Sequence, residues 1–287
     1  MTLSRRINLY IQLTRLNRPI GILLLLWPTL WGIWISGNGQ PDWNIVAIFV
    51  FGTILMRSAG CVINDYADRN FDKHVERTKD RPLTNGQLAP KEALWLAAGL
   101  SFLAFLLILP LNKLTLLLSI PALFLAASYP YTKRYLAIPQ AYLGIAFGFG
   151  IPMAFAAQLG SIPDIAWWLM IANMFWAIAY DTEYAMVDRD DDILIGIHSS
   201  ALFFGKYDIT AIMLCYSSTL AILTVIGSML KLGMLYYCGL LFAAGIAIYH
   251  YILIRHRYRE ACFKAFLHNN WFGAAIFIGI VLGYFKS

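Results

Sequence analysis

IVAIFVFGTILMRSAGCVIND, from Ile45 to Asp65, carries a single charge, Arg57, before its last residue. As a helix, a run of this length crosses the ~30 Å hydrocarbon core of a bilayer. Similar apolar runs recur along the chain, giving nine candidate spans at 20–36, 45–65, 93–110, 112–129, 139–158, 164–184, 209–228, 232–253 and 269–286. The composition agrees: of 287 residues 60% are apolar or aromatic and 13% charged, about half the charged share of a soluble domain. A soluble enzyme is excluded, and the expected fold is all-α, a polytopic membrane protein of about nine helices around a central cavity, forming one domain over residues 1–287.

The net charge of +6 raises nucleic acid as a partner, but the basic residues fall in short loops, without a basic helix or aromatic-basic interleaving. No nucleic acid is expected. Those residues set topology instead: the connectors alternate between basic and nearly uncharged. Of 22 Lys and Arg, only Lys113, Lys231 and Lys286 fall on the external side if the basic set is cytoplasmic, so the N-terminus is expected inside. Trp27, Trp31, Trp34, Trp43, Trp167 and Trp168 then lie near external helix ends, as an interfacial belt does. The first span follows a basic stretch, as a secretory signal would. Ser36-Gly37-Asn38-Gly39-Gln40 is not a small-x-small cleavage site, so a retained helix is expected. Cys61, Cys215, Cys238 and Cys262 lack zinc or redox spacing and read as small apolar residues.

The acid is not spread evenly. Asp65, Asp68, Asp72, Glu76 and Asp80 form one window, and Asp181, Glu183, Asp188, Asp190, Asp191 and Asp192 another. Both follow helices running inward, the second and sixth spans, so both emerge on the cytoplasmic face and can meet. Asn64, Asp68 and Asp72 stand at i, i+4 and i+8, Asp188 and Asp192 at i, i+4, and Asp181 seven before Asp188, so each set shares one helical face. Like charges at that spacing repel, and ionisable groups beside hydrocarbon cost more, which implies a compensating cation. Oxygen ligands without His or Cys favour Mg²⁺, held by carboxylates, water and a phosphate-bearing substrate. Two acidic sets suggest two ions on one diphosphate.

Cations accompany the acid. Arg57 sits two turns deeper than Asn64 on the same face, where an isolated Arg demands an anionic partner. Lys133 and Arg134 close the fourth span, and Arg69, Lys73, Arg77, Lys79 and Arg81 follow the first window. Divalent ions beside Arg and Lys suit a diphosphate. The two windows lie about 120 residues apart with four spans between their helices, which suggests an internal repeat of helices 1–4 and 5–8, with helix 9 added.

Asn64-Asp65-Tyr66-Ala67-Asp68-Arg69-Asn70-Phe71-Asp72 resembles the N-D-x-x-D-x-x-x-D motif of the UbiA-type intramembrane aromatic prenyltransferases, and Arg77 with Arg81-Pro82-Leu83 resembles its R-x-x-x-R-P-L tail. The run from Tyr180 to Asp192, then Gly196-Ile197 and Phe204-Gly205, resembles the branch that prenylates 4-hydroxybenzoate in ubiquinone synthesis. The likeness covers essentially the whole chain, including Arg18-Pro19-Ile20-Gly21. Two positions depart from it: Glu183 stands where Gln is expected, and His198 where Lys or Arg is common.

The resemblance implies an Mg²⁺-dependent transferase in the bacterial inner membrane, open to the cytoplasm, that joins a polyprenyl chain from its diphosphate to the 3-position of 4-hydroxybenzoate. Catalysis is then expected from Asp68, Asp72, Asp188 and Asp192. Asn64, Asp68 and Asp72 would hold one ion and Asp188 and Asp192 the other, with Arg69, Lys133 and Arg134 on the diphosphate. Arg57 would take the benzoate carboxylate or, alternatively, the diphosphate; the ring proton would go to Asp188 or to released diphosphate. The rival readings are another acceptor, in menaquinone or heme synthesis, and a cation-coupled transporter, which would put its carboxylates near the bilayer midplane.

Overall fold

The computed structural model describes residues 3–70, 72–74, 78 and 80–285. Glu76, Arg77, Lys79 and Lys286 of the sequence reading, and Phe71 of the motif, lie outside the described residues. Those described form helices and no strand: α1 (Leu3–Leu13), α2 (Ile20–Ser36), α3 (Trp43–Asp68), α4 (Pro90–Ile108), α5 (Lys113–Thr132), α6 (Pro139–Gly148), α7 (Gly150–Leu159), α8 (Asp164–Ile195), α9 (Ser200–Phe204), α10 (Asp208–Met229), α11 (Met234–Ile254) and α12 (Arg259–Gly283). Each expected span falls on a helix or, for 139–158, on the α6–α7 pair. By length and composition seven segments of the described chain are apolar enough to cross a bilayer, namely α3, α4, α5, α6–α7, α9–α10, α11 and α12; α2 is apolar but has 17 residues, and α8 is not among the seven. The protein is an integral membrane protein.

Local chemistry sets the helix ends. The Asp42 carboxylate caps α3 by accepting the Asn44 N–H at 2.7 Å. Asn112 caps α5 in the same way through the Thr115 N–H and donates to the Ala156 carbonyl at 2.6 Å, which ties the start of α5 to α7. α8 continues three turns past its expected end at Tyr184, because charge does not stop a helix that has partners: Arg259 donates to the Val187 carbonyl and to Asp191, and Arg189 pairs with Asp208. It ends where Gly196 adopts φ +68° and returns its N–H to the Asp192 carbonyl, a left-handed cap that favours glycine. α12 begins ten residues before its expected start. α1 was not expected as an element; Leu9 and Leu13, one turn apart, bury against Val62, Leu83 and Leu88, while Arg5 and Arg6 stay outside.

Aromatic rings fill the centre. Trp31 stacks on Trp176 at 5.3 Å, and Trp176 meets Phe272 and the edge of Tyr180, joining α2, α8 and α12. α11 and α12 approach backbone to backbone, since a Cβ on Gly239 would stand 2.6 Å from Gly279 Cα. Gly239→Val forces the helices apart at a cost of about 1–3 kcal/mol, and a thermal melt in detergent is expected to show Tm lowered by several degrees.

Candidate active site

α3 and α8 present their polar faces to one cavity of about 1800 Å³, well above the ~300–1,000 Å³ of an ordinary small-molecule pocket. Along most of its length the lining is apolar, from Leu23 and Leu24 on α2 to Phe102, Phe105 and Ile108 on α4 and Leu123 on α5. Its polar lining includes Arg57, Asn64 and Asp65 on α3, Tyr180, Asp181 and Tyr184 on α8, Tyr129 on α5, Asp80 and Arg81, and Arg15 and Arg18 before α2. Asp68 continues the Arg57–Asn64 face one turn further. Asp188 and Asp192 likewise continue the face of Asp181 and Tyr184, as helical spacing requires.

Arg57 has no carboxylate at ion-pair distance among the described residues. Its Nη1 donates to Cys61 Sγ at 2.9 Å, its guanidinium lies 5.6 Å from the Phe147 ring centre, and its buried Nε has no hydrogen-bond partner. Asp181 lines the same cavity and feels the Arg57 charge. Gly21 is what makes room: a Cβ there would sit 2.6 Å from Arg57 Nε. A cation with an orphaned donor, facing a cavity, is a receptor for an anion.

Lys133 stands between the acidic windows. Its Nζ pairs with Asp68 Oδ2, it also acts on Asp192, and its carbonyl accepts the His198 N–H at 3.0 Å. The windows therefore meet, as their common face predicts. Asp68 is 2% exposed, and its Oδ1 is buried without a hydrogen-bond partner. Beyond the apolar part of α8, burial and then the neighbouring Asp188 push the Asp192 carboxyl up to about 7.

Asp72 departs from the expected geometry. α3 ends at Asp68, so Asn64 and Asp68 share a face, but Asp72 belongs to a short 3₁₀ turn, Asp72–His74. Arg81 holds it there at 2.7 Å and with the same nitrogen reaches Asp65 at 3.0 Å, while Arg15 grips both Asp65 oxygens at 3.1 Å. Burial opposes the Arg81 charge, yet Asp65 and Asp72 outweigh it and raise its pKa. Asp65, 2% exposed, is thus the anchor of the first window, a role that the sequence does not distinguish from those of its acidic neighbours. Arg69 turns back onto the Tyr66 carbonyl at 2.6 Å and the Tyr66 ring, and Arg134 donates to the Ala67 carbonyl at 2.8 Å. Both dress the C-terminal carbonyls of α3, where cations are favoured.

Among the described residues no three His, Cys, Asp or Glu side chains converge tightly enough to hold a metal alone. The donor set still fits Mg²⁺. Asp68 Oδ1 is a buried acceptor lacking a donor, and Asp188 and Asp192 lie together, leaving other positions to water and phosphate oxygens, as this ion prefers.

The sequence profile of the UbiA prenyltransferase family matches residues 25–277. The chain belongs to this family. It is 65% identical over 286 residues to a 4-hydroxybenzoate octaprenyltransferase of Dechloromonas aromatica (strain RCB), covering 99% of this chain and 97% of that one. A protein of the same name from Thiobacillus denitrificans is 65% identical over 282 residues, covering 98% and 96%. Among solved structures, a UbiA homolog from Aeropyrum pernix K1 without ligand superposes with a TM-score of 0.80 at 24% identity, covering 91% of this chain and 97% of that one. A UbiA homolog from Archaeoglobus fulgidus bound to GPP and Mg²⁺ gives 0.70 at 16%, covering 95% and 99%. These last two likenesses concern the fold.

Proposed function

We propose that the protein transfers a polyprenyl group from polyprenyl diphosphate to the 3-position of 4-hydroxybenzoate, releasing diphosphate, in ubiquinone biosynthesis. The observation that carries this reading is one long apolar cavity with Arg57, Asn64 and Asp181 in its lining and the two acidic windows continuing from it. An octaprenyl chain is the donor group in the names of the two bacterial relatives, and those names support 4-hydroxybenzoate as the acceptor over the menaquinone and heme alternatives. Transport fits less well: Asp68 is the last residue of α3, and Asp188 and Asp192 lie in the last eight residues of α8, away from mid-span.

The apolar chain lies among α2, α4 and α5, entering from the bilayer, and its diphosphate sits at the acidic windows. Mg²⁺, when bound, supplies Lewis-acid stabilisation of the departing diphosphate. Asn64 and Asp68 would hold one ion, joined by Asp72 once it leaves Arg81, and Asp188 and Asp192 the second, while Lys133, with Arg69 and Arg134 swung from the α3 carbonyls, meets the diphosphate oxygens. The allylic C–O bond breaks with its electron pair going to diphosphate, whose added charge these cations stabilise more than the ground state. The ring carbon ortho to the phenol forms the new C–C bond, and its proton passes to Asp188 or to released diphosphate. Arg57 orients the ring by pairing with the benzoate carboxylate.

On this reading the helices make nine crossings, with the N-terminus and both windows on the cytoplasmic side of the inner membrane. The chain is one domain of two repeats, α2–α5 and α6–α11, with α12 added. Isolated membranes given 4-hydroxybenzoate, a long-chain prenyl diphosphate and Mg²⁺ are expected to form 3-polyprenyl-4-hydroxybenzoate, read by mass spectrometry of the lipid extract. EDTA is expected to stop it and excess Mg²⁺ to restore it; product undiminished by EDTA would rule out the metal assignment.

A further inference from the structure

Behind the cavity wall, α8, α10, α11 and α12 share a cluster of buried polar side chains that the transfer reaction does not use. Glu183, His250 and Asn269 are wholly buried, and Tyr216 nearly so. The titratable groups around Glu183 are Tyr216 and Cys215 on α10, His250 on α11, and Cys262 and His268 on α12, with no Lys or Arg among the described residues at ion-pair distance.

The hydrogens can be placed one by one. The Trp176 indole N–H can only donate, and it reaches Asn269 Oδ1 at 2.8 Å, which fixes the orientation of the Asn269 amide. Asn269 Nδ2 then donates to Glu183 Oε2 at 2.8 Å and to the Ala265 carbonyl at 3.1 Å. Tyr216 Oη has one hydrogen and three neighbours: Asn269 Oδ1 at 2.8 Å, His250 Nδ1 at 2.9 Å and Glu183 Oε1 at 3.0 Å. Asn269 Oδ1 has no hydrogen of its own, so the Tyr216 hydrogen goes there. The other two neighbours must therefore donate to Tyr216 Oη, which has two lone pairs to receive them. His250 carries hydrogen on Nδ1, leaving Nε2 to accept from His268 Nδ1 at 3.0 Å. Glu183 carries hydrogen on Oε1. A Glu183 carboxylate paired with a His250 imidazolium instead leaves those charges 3.7 Å apart and sets two lone-pair atoms against each other at the shorter Tyr216–Asn269 contact.

We propose that Glu183 is a neutral carboxylic acid in the working protein and that its proton, donated to Tyr216, fixes the rotation of α8. It is a positioning residue. The same helix turns Tyr180, Asp181 and Tyr184 into the cavity and carries Asp188 and Asp192 beyond it, so a loosened α8 misplaces the second window. With that proton in place, every contact among Trp176, Asn269, Tyr216, Glu183 and His250 has one donor and one acceptor, which is what makes a buried polar network rigid.

Infrared spectra of the protein in lipid at neutral pH, with the glutamates ¹³C-labelled, test the proton directly. Parent minus Glu183→Gln is expected to show the carbonyl stretch of a protonated acid; a carboxylate pair in its place overturns the proposal and establishes the ion pair. Gln presents an N–H where the acid presents its O–H, so Glu183→Gln is expected to keep the parent's Tm and its apparent Mg²⁺ affinity within about twofold. Glu183→Leu strands Asn269 and Tyr216, and is expected to lower Tm by roughly 5 °C or more and to raise the Mg²⁺ concentration needed for half-maximal turnover. Tyr216→Phe, which keeps the packing, serves if Glu183→Leu does not insert, with the same direction expected. Equal damage from Gln and Leu would overturn the positioning role. The turnover arm rests on the proposed transfer reaction, whereas the infrared and thermal arms do not, so a failure of that reading is distinguishable.

Discussion

Membranes carrying Asp68→Ala, or Asp188→Ala, are expected to form no detectable prenylated acid, a loss of at least about 10³-fold, with normal amounts of inserted protein. The two variants fail for different reasons. Asp68 is the buried end of α3; its Oδ2 engages Lys133 and its Oδ1 has no hydrogen-bond partner, so the residue is prepared for a cation that the resting chain supplies only in part. Removing it takes away an ion's ligand and leaves Lys133 without that counter-charge, so diphosphate binding is expected to persist through Lys133 while ionisation stops. Asp188 lies beside Asp192, whose carboxyl is already pushed up to about 7 by burial and by this neighbour. Asp188→Ala lets Asp192 ionise more easily but leaves it alone at the second ion. Product mass and protein quantity, measured on the same membranes, check both. Full-rate turnover by Asp188→Ala would refute a second metal site while leaving the first intact.

The positions of these residues were legible because two periodicities coincide. Apolar runs of bilayer length place helices, and the four-residue spacing of Asn64–Asp68 and Asp188–Asp192 continues the same faces past the apolar part. Arg57 was legible for the same reason, and among the described residues it has no carboxylate at ion-pair distance. What a spacing rule cannot convey is where a helix stops and which way a long side chain turns. α3 ends at Asp68, so Asp72 falls off the shared face and depends on Arg81. Arg69 and Arg134 lie where the sequence places them, yet each bonds to a backbone carbonyl of α3. The Glu183 cluster draws on four helices whose contributing residues lie far apart along the chain, and its signal in sequence was one acid at a position expected to be Gln. α1 was missed because, at 11 residues and with Arg5 and Arg6 in it, it is too short and too polar on one face to register as an apolar run of bilayer length.

Arg57→Ala is expected to raise KM for 4-hydroxybenzoate about 100-fold while changing KM for the prenyl diphosphate little. The argument begins with cost: a guanidinium facing an apolar cavity, with a buried Nε unpaired and a thiol and a ring as its neighbours, is unfavourable until an anion arrives. The benzoate carboxylate supplies that anion and gains two parallel hydrogen bonds, which fix the ring as well as hold it. The diphosphate has Lys133, Arg69 and Arg134 within reach of the windows, and Arg57 lies three turns from Asp68 along α3. Arg57→Lys keeps the charge but not the fork, so it is expected to recover only part of the affinity and to leave the ring less well aimed, lowering kcat as well. Gly21→Val probes the same geometry from the other side, since its new Cβ would stand 2.6 Å from Arg57 Nε and displace the guanidinium; it is expected to reproduce the rise in KM without altering any charge. Saturation kinetics with each substrate varied in turn decide the assignment: a rise confined to the diphosphate would move Arg57 to that substrate and leave the carboxylate to Arg18 at the same cavity.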